Sequence, residues 1–222
     1  MKKDFEYKEV QVGLPAERAL DVAATLANLV PLIGGPVANI LGGISGGRKE
    51  ERVLEVIRGV SDDLRDFQSE VADRYVKTED FEELLEQTLR RVAQERTEAK
   101  RRMYRNFLTS AIKHPSGDYT EQLRLVKTLE ELSPDHLAII KALNQPPGSE
   151  FGLVGSPIQT LKERLPGHSE RRIEQLVSEL NDHRVTSLSS LRVMMTARGA
   201  ADLRHAVTPF GQQFLSYVQA DS

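Results

Sequence analysis

A chain of 222 residues with 39% apolar and 28% charged side chains can bury a core in one large or two small domains, which excludes wholesale disorder. Cysteine and tryptophan are absent and aromatics are 5%, so disulfides, thiol chemistry and thiolate metal sites are excluded, and a stacking platform has little to draw on. The net charge of −3 is evenly spread: 19 basic and 20 acidic residues in 1–117 leave 11 and 13 for 118–222, so neither part carries a bulk positive field for nucleic acid or anionic lipid.

At the N-terminus Lys2 and Lys3 are followed by Asp4, Glu6 and Glu9 rather than by an apolar run, which is unlike a secretory leader and points to the cytoplasm. Pro15 to Val30 reads as a helix, with Pro15 in the first turn and Leu20, Ala23, Ala24, Leu26 and Leu29 as its apolar surface. No charged residue occurs from Val22 through Gly47. Within that run lies a glycine-rich apolar segment, 31–47, in which small residues recur every fourth position. Gly34, Ala38, Gly42 and Gly46 form one row, and Gly35, Gly43 and Gly47 a second, broken at Asn39. Such rows let another backbone approach closely, in a protein core or in a bilayer. Glycine costs a helix in water roughly 1 kcal/mol per residue relative to alanine, so the segment is either a loop or a helix held by tight packing. A buried helix-turn element is the first expectation. Membrane contact is the second, with a peripheral place at the inner face of the membrane, and an oligomer contact is the third. Gly42 to Lys49 has the glycine spacing of a phosphate-binding loop, but Arg48 and Lys49 stand where Lys and Ser or Thr are needed.

From Lys49 the apolar residues Val53, Val56, Ile57, Val60, Leu64, Phe67, Val71 and Tyr75 recur at three- and four-residue steps and predict one helix. Thr78 or Asp80 caps a second, which carries Phe81, Leu84, Leu85, Leu89, Val92, Met103, Tyr104, Phe107, Leu108, Ala111 and Ile112 up to His114-Pro115. At 1.5 Å per residue these helices are about 40 and 50 Å long and suit an antiparallel pair. The stripe thins where Glu95, Arg96, Glu98, Lys100, Arg101 and Arg102 cluster. A solvated face with pairs such as Glu98 to Arg102 is the first reading of that cluster, and a binding patch the second.

After Gly117 the punctuation is clear. Tyr119 to Leu132 is helical. Ser133-Pro134, Ser156-Pro157 and Thr208-Pro209 each start a helix with a capping residue and a first-turn proline, and Glu170 to Asn181 makes another. Val185 to Thr196 reads as extended, with Val185, Leu188, Leu191 and Val193 as its apolar positions; Arg198 to Asp202 reads as a loop and His205 to Val207 as a returning strand.

In that order residues 120–219 resemble a winged helix-turn-helix domain, with Val207-Thr208-Pro209-Phe210-Gly211 as the last strand-to-helix corner. The resemblance implies that Ser169 to Asn181 is the helix placed in a major groove, with Arg171, Arg172, Gln175 and Asn181 facing it and Arg198 and Arg204 on the wing. Glu170, Glu174, Glu179, Asp182 and Asp202 share these surfaces and would repel phosphates. A protein-binding or dimerisation module is therefore the first expectation and DNA binding the alternative. The N-terminal part loosely resembles bacterial helical accessory proteins that join a glycine-rich apolar segment to a helical body, some of them associated with phage defence. That resemblance implies a membrane-touching or assembly-forming effector.

His114, His136, His168, His183 and His205 show no paired-ligand spacing, and no acidic residue stands in an apolar setting suited to acid catalysis. The sequence thus predicts a mainly α protein and not an enzyme, with no metal and no cofactor. Residues 1–117 form a helical bundle with long antiparallel helices, and 118–222 a winged-helix-like α+β module. The expected activity is non-enzymatic interaction with a protein partner or with itself, and no small-molecule substrate is implied.

Overall fold

The computed structural model describes Val37 and residues 47–115, 118–146 and 154–219. The chain is mainly helical: the described residues form ten helices, one two-stranded ribbon and a single 3-10 turn.

Helix α1 (Gly47–Leu64) buries Val53, Val56, Ile57, Val60 and Leu64, the stripe its spacing dictates. The predicted continuation to Tyr75 is broken. The Phe67 amide bonds back to the Leu64 carbonyl, and the Ser69 hydroxyl accepts from the Ala72 amide to start a separate short helix, α2 (Glu70–Tyr75). Val71, on the expected apolar stripe, is consequently exposed.

Thr78 caps α3 (Glu79–Gln94) through the Phe81 amide. The second long helix of the sequence reading is also two helices, because the chain turns at Glu95–Thr97 before α4 (Glu98–Lys113). There the Glu95 carboxylate accepts from the Thr97 amide at 2.7 Å, a local bond that competes with continued helix. The charged cluster of 95–102 thus spans a corner rather than the middle of one helix, while the expected Glu98–Arg102 pair does form, at 3.4 Å on the exposed face of α4. A further difference follows from it. Glu55 pairs with Arg101 and Asp63 with Arg105, so α1 and α4 advance in the same direction, whereas Arg52 reaches Ala93 at the far end of α3.

Helix α5 (Tyr119–Glu131) packs on α3 and α4 and is followed by α6 (Pro134–Asn144). Strand β1 (Val154–Gly155) leads into α7 (Pro157–Arg164) and α8 (Glu170–Asp182). Strand β2 (Met195–Thr196) pairs antiparallel with β1, Val154 opposite Thr196 and Gly155 opposite Met195. Among the described residues most of the stretch predicted as extended has no strand partner; besides β2, only Thr186 forms a bridge, to Val207. The predicted loop at Arg198–Asp202 contains a short helix, α9 (Ala197–Ala201), and the predicted strand at His205 is largely the 3-10 turn Arg204–Ala206. Helix α10 (Pro209–Val218) returns across the chain to α4. There the Asn106 amide donates to the Val218 carbonyl at 2.9 Å, and the Phe107 and Tyr217 rings lie 5.6 Å apart. One apolar core therefore runs through both parts, from Val53 and Phe81 to Ile173 and Phe214.

Candidate functional site

Helix α8 and the loop that follows it hold most of the residues singled out for nucleic-acid contact, and the geometry sorts them. Ser169 caps α8 by accepting from the Arg172 amide at 3.2 Å, while Ile173, Leu176, Val177 and Leu180 face the core. That leaves Arg171, Arg172, Glu174, Gln175 and Glu179 on the outer faces. Arg172 is tied to Asp135 of α6 at 3.0 Å, and Gln175 donates to Glu179 at 2.8 Å. Asn181, expected on the outer face, is a structural residue. Its amide donates to the Leu188 carbonyl, and its oxygen accepts from the Leu188 amide and the Thr186 hydroxyl, which fixes the exit of α8.

The loop after α8 is clamped along the helix by Arg192, whose guanidinium lies 2.7 Å from Glu174 and 3.3 Å from Glu170. Arg204 is held by both oxygens of Asp202 at 2.8 Å, and that pairing pulls the Asp202 carboxyl down to about 2. Of the four candidate arginines, Arg171 and Arg198 are exposed without an ion pair among the described residues.

Beside Arg192 the same loop carries two large apolar side chains outward: Val193 is 49% exposed and Met194 63%. Leu188 and Leu191 of this stretch pack against the core as expected, but Val193 does not. Apolar spacing does not single out Met194; the run of Leu, Arg, Val, Met and Met at 191–195 is the signal the sequence offers for it.

Three histidines pair with carboxylates around α6 and α8. His136 takes the Ser133 amide and hydroxyl at Nδ1, 2.9 and 2.8 Å, and meets Glu179 at 2.6 Å through Nε2. Burial holds the His136 imidazole below its ordinary value, against the pull of Glu179. His168 lies 3.6 Å from Asp135 and His183 3.1 Å from Glu131. These contacts join helices, and among the described residues no group of three or more His, Asp or Glu is placed to hold a metal ion.

Of the glycine-rich set, Gly34, Gly35, Ala38, Gly42, Gly43 and Gly46 lie outside the described residues, as does the helix expected at 15–30. Gly47 opens α1 on the surface, and a Cβ there would meet nothing within 4 Å. Val37, inside the uncharged run, is helical and fully buried in the core. Among the described residues no helix is long and apolar enough to cross a membrane. Comparison of the chain with protein-family models, curated proteins and solved structures gave no match.

Proposed function

We propose that the chain is a non-enzymatic interaction protein that binds a protein partner, a second copy of itself included, through the loop following α8. The observation that carries this reading is the exposed Val193–Met194 pair on a loop that Arg192 clamps to α8. Solvent-facing apolar side chains on an anchored loop form an epitope whose burial by a partner is favourable, at roughly 25 cal/mol per Å². The order α6, β1, α7, α8 and the Thr186–Val207 bridge support a winged-helix-like module as the scaffold.

DNA binding is the weaker alternative. Arg172, Gln175 and Arg204 are tied to Asp135, Glu179 and Asp202, and a polyanionic backbone laid along α8 would meet those carboxylates together with Glu170 and Glu174. Membrane contact through residues 22–47 requires Val37 to leave the core that holds it.

Sedimentation of the wild type and of a Val193→Glu, Met194→Glu variant tests the reading, alongside anisotropy with a random DNA duplex at low and moderate salt. A concentration-dependent dimer that the double substitution abolishes is the expected result. A monomer at all concentrations, together with salt-sensitive duplex binding lost on Arg171→Ala and Arg198→Ala, would replace it with the DNA reading.

A further inference from the structure

The corner between α3 and α4 encloses a second feature, independent of the loop after α8. A cavity of about 430 Å³ opens there, lined by Arg90, Arg91, Gln94 and Glu95 from the end of α3, Tyr104 from α4 and Glu130 from α5. Its walls are oriented. Arg90 is held by Glu86 through Nε and Nη2 at 2.9 and 2.5 Å, and Arg91 by Glu130 through Nε at 2.7 Å and by the Gln87 carbonyl through Nη1 at 2.8 Å. One nitrogen of each guanidinium, Nη1 of Arg90 and Nη2 of Arg91, stays outside these bonds. Glu95 is fixed by the Thr97 amide.

Tyr104 is the informative residue. It is 2% exposed, yet its hydroxyl makes no hydrogen bond among the described residues, although it is not sealed from the cavity. The buried polar atoms left without a partner among the described residues are Gln122 Nε2 and Asn144 Nδ2, not this oxygen, so the Tyr104 hydroxyl is a donor open to whatever occupies the cavity. Burial and the nearby Glu130 carboxylate push this phenol above its ordinary value, so at neutral pH it remains a donor. The Lys100 ammonium lies on the Tyr104 side of the corner, 6.0 Å from the ring centroid, and adds positive charge behind the wall.

We propose that this corner is a binding site for the oxyanion end of a small molecule, a carboxylate or a phosphate, which accepts from the Tyr104 hydroxyl and from the spare edges of Arg90 and Arg91. The volume is that of a small-metabolite pocket, within the range of roughly 300 to 1,000 Å³ for such sites. Arg91, 20% exposed and bonded to both Glu130 and the Gln87 carbonyl, presents a fixed donor, which loses less on binding than a mobile one, while Arg90 stands on the exposed face of α3 beside it.

The test follows the Arg90 and Arg91 Nε resonances and the Tyr104 ring signals by NMR during titration with inorganic phosphate and, separately, with acetate, at constant ionic strength against chloride. Tyr104→Phe removes only a hydroxyl that has no hydrogen-bond partner among the described residues, so this variant is expected to fold and melt like the wild type. Saturable shifts at both arginines with one anion, weakened at least fivefold in Tyr104→Phe, are the expected result; the anion that saturates identifies phosphate or carboxylate as the ligand chemistry. Equal response to chloride, or affinity unchanged in Tyr104→Phe, would overturn the proposal. Either outcome leaves the interaction reading of Val193 and Met194 untouched.

Discussion

A Cβ placed on Gly211 would lie 2.1 Å from the carbonyl oxygen of Val185, so the first turn of α10 sits directly against the backbone that leaves α8. The same carbonyl accepts from the Thr208 amide, and the Thr208 hydroxyl accepts from the Gly211 amide, which locks the corner from both sides. Backbone cannot yield as a flexible side chain can. Gly211→Ala is therefore expected to destabilise the protein by about 2–4 kcal/mol, read as a lowered urea midpoint with an unchanged slope. A midpoint within a few tenths of a molar of the wild type would refute this packing.

One residue before Val185, Arg184 holds a positive φ of 58° at the exit of α8. Side chains with a Cβ pay for that conformation, and the Arg184 side chain is exposed with no ion pair among the described residues to offset it. Arg184→Gly is expected to stabilise by up to about 1 kcal/mol, the lost strain outweighing the added freedom of the unfolded chain. Loss of stability in thermal melts would contradict the assigned backbone.

What was legible in the sequence was mostly local. Ser133-Pro134, Ser156-Pro157 and Thr208-Pro209 start helices where expected, because a capping oxygen and a proline act within one turn. The breaks at Ser69 and at Glu95–Thr97 were not legible, since apolar steps resume on both sides and local bonds of these kinds are equally open to residues inside a helix; at the second break distant contacts add to them. Arg101 is drawn to Glu55 across 46 positions, and Lys100 to the Leu132 carbonyl across 32. The same holds for the candidate site. Arg172 looked free until Asp135, 37 residues away, was placed beside it. Nor could periodicity tell that Leu191 turns inward while Val193 does not, because both satisfy the same alternation.

Gly59 lets α4 approach α1. A Cβ there would fall 2.5 to 2.9 Å from Arg105 side-chain atoms, and Arg105 is the partner of Asp63. Burial raises the Asp63 carboxyl, but hydrogen bonds from Arg105 and Thr109 and the charges of Arg105 and Lys113 hold it below its ordinary value. In Gly59→Ala the guanidinium must swing away, since a flexible chain yields before a helix does. Asp63 is then expected to titrate at higher pH than in the wild type, measured from its carboxyl carbon resonance. An unmoved titration would show that Arg105 reaches Asp63 by another rotamer.

Lys100 gives the clearest pH signature. It is 5% exposed, and its ammonium donates to the carbonyls of Leu132 and Glu130, closing the C-terminal end of α5 from α4. Burial brings its pKa down to about 8 despite the opposing pull of Glu95 and Glu130. The folded state therefore releases its proton near pH 8, while the unfolded chain holds it to about 10.4. Between those values the unfolded state binds more protons, so Lys100 makes the protein more stable as pH rises through the window. Replacing it with methionine, which keeps the stem and removes the titration, isolates the effect. Relative to Lys100→Met, the wild type is expected to gain on the order of 1–2 kcal/mol between pH 7.5 and 9.5 in urea denaturation. A difference that stays flat across that range would mean that the two carbonyls keep the ammonium charged and that burial does not dominate.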